Sequence, residues 1–123
     1  MSGIDRKSRT REYKKAARVM GVFRVRRVDA AVSLIGISLD LPAMLNRQRF
    51  QLEAGNHPNR ALQADFEALG GEAFAFETLD VLDPSSDEAA DPADELAALE
   101  LMWRERLAAE GERFYNSKPG RLQ

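Results

Sequence analysis

Residues 21–37 read GVFRVRRVDAAVSLIGI, and this stretch decides the fold. Residues 22–28 and 32–37 are rich in β-branched and aromatic side chains, and the three residues between them are enough for a hairpin loop. The stretch therefore predicts two neighbouring antiparallel strands. Gly36 falls late in the second strand, where a bulge or a close approach to the backbone is the usual reason for a glycine.

Helix and strand signals continue along the chain after this hairpin. Asp40 is a good N-cap residue, and Pro42 fits the first turn of a helix, where its missing N–H costs little. The predicted elements are a basic helix or arm over residues 4–19 and, after the hairpin, a helix over 41–54, a helix over 58–69, a strand over 73–82 and a helix over 93–109. This order predicts an α+β domain with a small three-stranded antiparallel sheet flanked by helices.

The composition excludes several classes of protein. The chain has 123 residues, of which 44% are hydrophobic, and this suits one domain with a real core. It has no cysteine and a single histidine, which excludes disulfide scaffolds, cysteine-zinc sites and iron–sulfur clusters. No stretch approaches the roughly 18–20 apolar residues of a membrane span, and residues 1–20 do not resemble a secretory signal. We therefore expect a cytoplasmic protein without a membrane partner.

The net charge of -2 hides a strong asymmetry along the chain. Residues 1–62 carry 13 Lys and Arg against 5 Asp and Glu, whereas residues 63–123 carry 5 against 15. A basic half suits a surface that faces phosphate groups. The alternative is that the acidic half neutralises the basic half within the fold. Charge alone leaves both interpretations open.

Two polar residues stand out from the predicted helices. Glu100 lies beside the apolar stripe of the last helix, so its carboxylate is expected to pair with a basic residue of the N-terminal half or to bind a metal ion. Of these two interpretations the ion pair is favoured. His57, the single histidine, stands next to Pro58 at the start of a helix, and capping or packing is its expected role.

Several segments resemble, in order, the motifs of the GIY-YIG nuclease family. Residues 21–23 and 34–36 resemble the paired tripeptides for which the family is named, and residues 40–47 resemble the helix that carries the family's arginine. Glu100 matches the family's metal-binding glutamate, and Asn116 matches its closing asparagine. The string that begins at His57 and continues to Leu79 is a further landmark. Six landmarks in order, with matching spacing and element types, are far more specific than one tripeptide.

The resemblance covers most of the chain. It runs from residue 21 to residue 116, and the string from His57 to Leu79 is more similar to the homing-endonuclease branch than to the excision-repair branch. It divides the chain into a basic N-terminal helix or arm over residues 1–20, a GIY-YIG-like domain over residues 21–116 and a tail over residues 117–123.

The resemblance implies a metal-dependent phosphodiesterase. In this family a tyrosine assists the attacking water, an arginine neutralises the phosphate, and a glutamate holds a divalent cation, Mg²⁺ or Mn²⁺. Here apolar side chains stand at both tyrosine positions and at the arginine position. The candidate site residues are therefore the degenerate positions Phe23, Leu34 and Met44, the substitute cation Arg47, the asparagine Asn116 and the metal ligand Glu100.

Three functions follow from this combination of matches and departures. The first is a DNA-binding domain with a weak or inactive nuclease site, and the second is an active nuclease that recruits a hydroxyl from Tyr13 or Tyr115. The third is a protein-interaction domain on the same scaffold. DNA is the partner that we expect. If they share one face of the domain, five arginines are the predicted contacts with DNA: Arg24, Arg26, Arg27, Arg47 and Arg49.

Overall fold

The computed structural model describes residues 19–83 and 91–116. Its strands are β1 (Met20–Arg27), β2 (Val32–Ser38), β3 (Phe74–Leu82) and β4 (Arg113–Phe114), and its helices are α1 (Leu41–Ala54), α2 (Arg60–Leu69) and α3 (Pro92–Ala109), with a 3-10 turn over Gly71–Ala73. The strands form one sheet in the order β3-β1-β2-β4. The predicted α+β class is confirmed, and the predicted helix or arm over residues 4–19 falls almost wholly outside the described residues.

The sheet has four strands, so the prediction of three was wrong, and it is not wholly antiparallel. The additional strand, β4, pairs in parallel with the start of β2, with Arg113 opposite Val32 and Phe114 opposite Ser33. Two residues are too few for an alternation of apolar and polar side chains, which is the signal that identifies a strand in a sequence. β4 is held instead by long-range pairing, because the backbone N–H of Tyr115 donates to the carbonyl of Ser33 at 2.7 Å.

Side-chain caps set where the first two helices begin. Asp40 accepts a hydrogen bond from the Ala43 N–H at 3.2 Å, so α1 begins at Leu41 as predicted. α2 begins at Arg60, two residues later than predicted, because Asn59 is its N-cap and accepts from the Leu62 N–H at 3.0 Å. The two residues that precede Asn59 are thereby left outside the helix, where they contribute to the site described below.

The sheet separates two apolar layers. On one face Phe23 and Val25 of β1 pack with residues of α1 and α2, and on the other face Val22 of β1 packs with Leu96 and Leu107 of α3. This division follows from the alternation of side chains along a strand. Within the described residues, none of the helices is long and apolar enough to cross a membrane.

Two glycines of the paired tripeptides are required by close contacts. The register between β1 and β3 shifts between Val22 and Phe23, and a Cβ on Gly21 would collide with the carbonyl oxygen of Asp80 on β3. On β2, Gly36 lies opposite Phe23, and the ring of Phe23 fills the space where a side chain of residue 36 would stand. The glycine of each tripeptide therefore allows a close contact within the sheet, so the motifs have a structural role as well as serving as sequence landmarks.

Candidate active site

A cavity of about 300 Å³ opens beside the two tripeptides, between the sheet, α1 and the segment that leads into α2. The three degenerate motif positions, Phe23, Leu34 and Met44, all line it. Phe23 and Leu34 are buried in the core beneath the cavity, and Met44 packs against that core. The three positions that the resemblance singled out therefore lie together around one cavity. The described residues that line the cavity include no Asp, Glu, Lys or Arg. Their one ionisable side chain is that of His57, which becomes charged only when it is protonated.

The polar wall of the cavity is organised around His57, which is 7% exposed. Its Nδ1 accepts a hydrogen bond from the Asn59 N–H at 3.0 Å, and its Nε2 lies 2.6 Å from Oε1 of Gln48. Because Nδ1 is an acceptor, we assign the ring proton to Nε2, which donates to Gln48. Burial lowers the pKa of His57, so the imidazole is neutral at pH 7.

Two glutamines that the sequence analysis missed hold His57 in place. Gln63 accepts from the backbone N–H of His57 at 2.9 Å and donates to the carbonyl of Leu52 at 3.0 Å. Gln48 lies one turn after Met44 on α1, and its amide nitrogen is 3.5 Å from the sulfur of Met44. A signal was available, because Gln48 interrupts an otherwise apolar stripe that includes Leu41 and Leu52.

Asn116 reaches the cavity from the segment that follows β4. Its side-chain oxygen accepts from the Ile35 N–H at 3.1 Å, and its side-chain nitrogen donates to the Ile35 carbonyl at 2.6 Å. The amide of Asn116 thus prolongs the pairing of β4 with β2 at the second tripeptide. Asn116 lines the same cavity as Phe23, Leu34 and Met44, and both ends of its side-chain amide are bonded to backbone.

Glu100 is fully buried on α3, and its Oε2 accepts from Nε of Arg104 at 2.8 Å. The structure therefore contains the ion pair that was favoured, and the described partner, Arg104, lies on the same helix rather than in the N-terminal half. Residues four positions apart lie on the same side of a helix, so the helix that carries Glu100 itself supplies a cation. Glu100 is not among the residues that line the cavity, and the described residues contain no group of three Asp, Glu or His side chains that could hold a metal ion.

Tyr115, one of the two tyrosines considered as substitute hydroxyls, is not among the residues that line the cavity. The Tyr115 hydroxyl donates to Oδ2 of Asp65 at 2.6 Å. Burial, together with the carboxylate of Asp65, raises the pKa of Tyr115 above its ordinary range. A phenol that holds its proton this firmly is a poor general base near neutral pH. Tyr13 lies outside the described residues.

The arginines of β1 are engaged with carboxylates. Arg24 and Arg26 point to the α3 face of the sheet, where both bind Glu77 at 2.9–3.0 Å. Arg27 pairs with Asp29 at 3.0 Å and with Asp65 at 3.4 Å. All three guanidinium groups are therefore partly neutralised within the fold.

The arginines of α1 lie on the other side of the sheet. Arg47 is exposed, and the guanidinium of Arg49 lies 4.3 Å from the ring centre of Phe76. Since Arg24 and Arg26 are on the α3 face, the five arginines do not share one face. A single nucleic-acid surface made of all five is therefore not formed.

The distribution of charge differs between the described residues and the residues before them. Residues 19–83 and 91–116 carry 9 Lys and Arg against 16 Asp and Glu, a net charge of -7, whereas residues 1–18 carry 7 against 2. The described part of the chain is therefore acidic, and the largest excess of positive charge lies in residues 1–18.

Comparison with known proteins supports the resemblance at the level of the fold. The structure is similar to the catalytic domain of a GIY-YIG homing endonuclease, I-TevI. With a glutamate-to-alanine mutant of that domain the TM-score is 0.66 at 18% sequence identity, over 85% of this chain and 99% of the other. With a second structure of the domain the TM-score is 0.61 at 20% identity, over 80% and 98%. Comparison of the sequence with models of known families and with curated proteins finds no match.

Proposed function

We propose that this chain is a DNA-binding domain on a GIY-YIG nuclease fold whose phosphodiesterase site is degenerate. The observation that carries the proposal is the cavity itself. The positions at which the family has two tyrosines and an arginine hold Phe23, Leu34 and Met44, and these side chains lie together in its wall. The similarity to the I-TevI catalytic domain supports a nuclease-like fold. The apolar side chains at these three positions support the loss of phosphodiesterase activity.

The cavity lacks the groups that phosphoryl transfer requires. A competent site must neutralise the charge that develops on the phosphate and must move a proton from the attacking water. Phe23 and Leu34 have no hydrogen-bonding atoms in their side chains, and Met44 has only a weakly accepting sulfur. His57 is neutral and directs its ring N–H to Gln48. Losing one catalytic group costs roughly 10²–10⁴ in rate, so the loss of three predicts negligible turnover.

A divalent cation does not fit the residues at Glu100. GIY-YIG nucleases are generally dependent on Mg²⁺ or Mn²⁺, and Glu100 is the residue that matches their metal ligand. Here the guanidinium of Arg104 stands against its carboxylate at 2.8 Å and would repel a second cation. We therefore assign no catalytic step to a metal ion in this domain.

An active nuclease with a rearranged site is less well supported than a binding domain. It would need Glu100, Tyr115 and a cation near the cavity to act together. The Glu100 carboxylate is bonded to Arg104, and the Tyr115 hydroxyl is bonded to Asp65. Each of these contacts would have to break before the side chain could take part in catalysis.

DNA binding is assigned to the strongly basic residues 1–18 and to Arg47, which lies on the opposite side of the sheet from the paired Arg24 and Arg26 of β1. Residues 1–18 carry a net charge of +5, and Arg47 is exposed on α1. Their attraction for phosphates must exceed the repulsion from the acidic remainder, so affinity should fall steeply as salt rises. We expect weak sequence preference, because contacts of this kind read the backbone rather than the base edges.

The test is fluorescence anisotropy of a labelled DNA duplex at low and high salt. Charge reversal by Lys15→Glu or Arg47→Glu should weaken binding several-fold. The matched control is Arg106→Glu, which makes the same change of charge on α3, across the sheet from Arg47, and should leave affinity nearly unchanged. Equal effects of all three variants would show only a response to net charge and would contradict the assigned surface.

A protein-interaction domain is the second candidate, and one observation favours it. The net charge of -7 over the described residues, with the β1 arginines already paired, suits a basic protein partner better than a nucleic acid. The same anisotropy experiment separates the two functions. Absence of binding to any duplex or single strand at about 50 mM salt would favour the protein partner.

A further inference from the structure

We infer that the guanidinium of Arg104 replaces a divalent cation as the counter-ion of Glu100, so that the folded domain needs no metal ion at this position. The inference goes beyond the proposed function, because it concerns how a buried carboxylate is neutralised whether or not the domain binds DNA. It predicts a protein whose stability does not respond to divalent metal, although its scaffold is that of a metal-dependent nuclease.

The first observation is the burial of an acidic side chain. Glu100 is 0% exposed and lies on α3 against the sheet. A carboxylate removed from water is strongly destabilising unless a positive group and hydrogen bonds compensate it. Arg104 supplies both at once, with Nε of its guanidinium donating to Oε2 of Glu100 at 2.8 Å.

The second observation is that the other two nitrogens of the same guanidinium donate hydrogen bonds to backbone carbonyls. One donates to the carbonyl of Asn116 at 2.7 Å, and the other donates to the carbonyl of Ile35 at 3.3 Å. The planar fork of an arginine presents donors in fixed directions, so one side chain serves a carboxylate and two carbonyls. A carboxylate and backbone carbonyls are also oxygen ligands of the kind that a divalent cation prefers.

The third observation is that the hydrogen bonds of Arg104 connect it to residues at the wall of the cavity. Ile35 belongs to the second tripeptide, and the side chain of Asn116 is bonded to the backbone of Ile35 at the wall of the cavity. The ring of Phe114 lies 5.2 Å from the guanidinium carbon and covers it. Arg104 therefore joins α3, β2 and the segment after β4 beneath the degenerate site. A mobile ion would be free to leave this position, whereas a side chain remains.

The sequence spacing makes the replacement local. Glu100 and Arg104 are four residues apart on one helix, with the acidic residue nearer the N-terminus, which is the favourable order for such a pair. One turn of α3 therefore contains both members of the ion pair.

The first experiment uses the full chain and MnCl2 alone as the probe. Thermal melting and titration calorimetry are carried out on the natural protein and on Glu100→Gln, with millimolar MnCl2 or with EDTA. We expect the melting temperature of both proteins to be unchanged by either addition and no binding heat that depends on Glu100. An increase in melting temperature with Mn²⁺ that disappears in Glu100→Gln would overturn the inference, because Glu100 would then be a metal ligand.

The second experiment tests neutralisation by a double-mutant cycle. Arg104→Met leaves the buried carboxylate without its guanidinium and should lower the melting temperature by about 10 °C or more. Glu100→Leu combined with Arg104→Met removes both charges and should recover most of that loss. A double variant as unstable as Arg104→Met would overturn the role of Arg104 as counter-ion.

A further variant keeps the inference testable if Arg104→Met does not fold. Arg104→Lys retains the positive charge and loses the planar fork, so it should fold with a reduced melting temperature and remain insensitive to MnCl2. If Mn²⁺ stabilised Arg104→Lys and the natural protein equally, the carboxylate would be accessible to a metal in both, and the inference would fail.

Discussion

The ring of Phe23 lies over Gly36, so close that a Cβ on residue 36 would stand 2.5 Å from Cζ of the ring. The two residues face each other across β1 and β2. The aromatic side chain at the first tripeptide and the glycine of the second are therefore one packing unit, which persists although Phe23 has no hydroxyl.

Gly36→Ala should destabilise the domain by about 1–3 kcal/mol, because the Phe23 ring would have to leave its position in a packed core. The free energy of unfolding, from chemical denaturation, measures this. Gly71→Ala is the matched control, since its Cβ would meet Phe66 at an ordinary 3.4 Å. Combining Gly36→Ala with Phe23→Leu should cost less than the sum of the two single changes, and strict additivity would contradict the contact.

His57 should make the domain less stable in mild acid. Burial lowers its pKa below the ordinary value of 6.5, so below that pH the unfolded chain binds a proton that the folded chain does not. From about pH 7.5 to about pH 5.5 the free energy of unfolding should therefore fall by up to about 1.4 kcal/mol, above the range in which carboxylates titrate. His57→Gln should lack this fall. Since the chain has one histidine, its ring proton resonance follows the same titration directly by NMR.

Tyr115 should make the domain less stable in alkali. Its pKa is raised above the ordinary value of 10.0, so above that pH the unfolded chain loses a proton that the folded chain keeps, and stability falls as pH rises. Tyr115→Phe should show a smaller fall. At neutral pH the same variant should be less stable by about 1–2 kcal/mol, because the hydrogen bond to Asp65 is lost. A natural protein and variant with parallel pH profiles would refute the assignment.

The natural protein should not cleave DNA in the presence of Mn²⁺, and Glu100→Ala should be equally inactive. The physical reason is the apolar character of Phe23, Leu34 and Met44 at the positions that should move protons and neutralise charge. The measurement is gel analysis of labelled single- and double-stranded DNA. Cleavage by the natural protein that disappears in Glu100→Ala would demonstrate a working site, and Arg47 would be the next residue to mutate.

The fold was predictable where local chemistry decides it. The cap of Asp40 defines the start of α1, and the β-branched runs define β1 and β2, because these signals lie within a few residues of the element. β4 was missed since its two residues are fixed by partners about 80 positions away. A pairing between such distant residues cannot be predicted from the local sequence pattern.

The sequence predicted which residues would gather around the cavity, but it did not predict their contacts. The spacing of the tripeptides placed Phe23, Leu34 and Met44 together, and the cavity contains all three. The bond between His57 and Gln48 depends on how α1 and the segment before α2 pack, which periodicity does not determine. The pairing of Glu100 with Arg104 was within reach, because a spacing of four residues on a helix is itself a signal.

The bonds between Asn116 and Ile35 join residues that are 81 positions apart. Contacts of such separation form late, because the chain between them must first lose much of its freedom. Until residues 113–116 dock, this edge of β2 has unpaired backbone amides and carbonyls. Such an edge is a template for pairing with another chain. Residues 113–116 therefore cover an edge that would otherwise favour association with another chain, and a variant that lacks them should be more prone to aggregation.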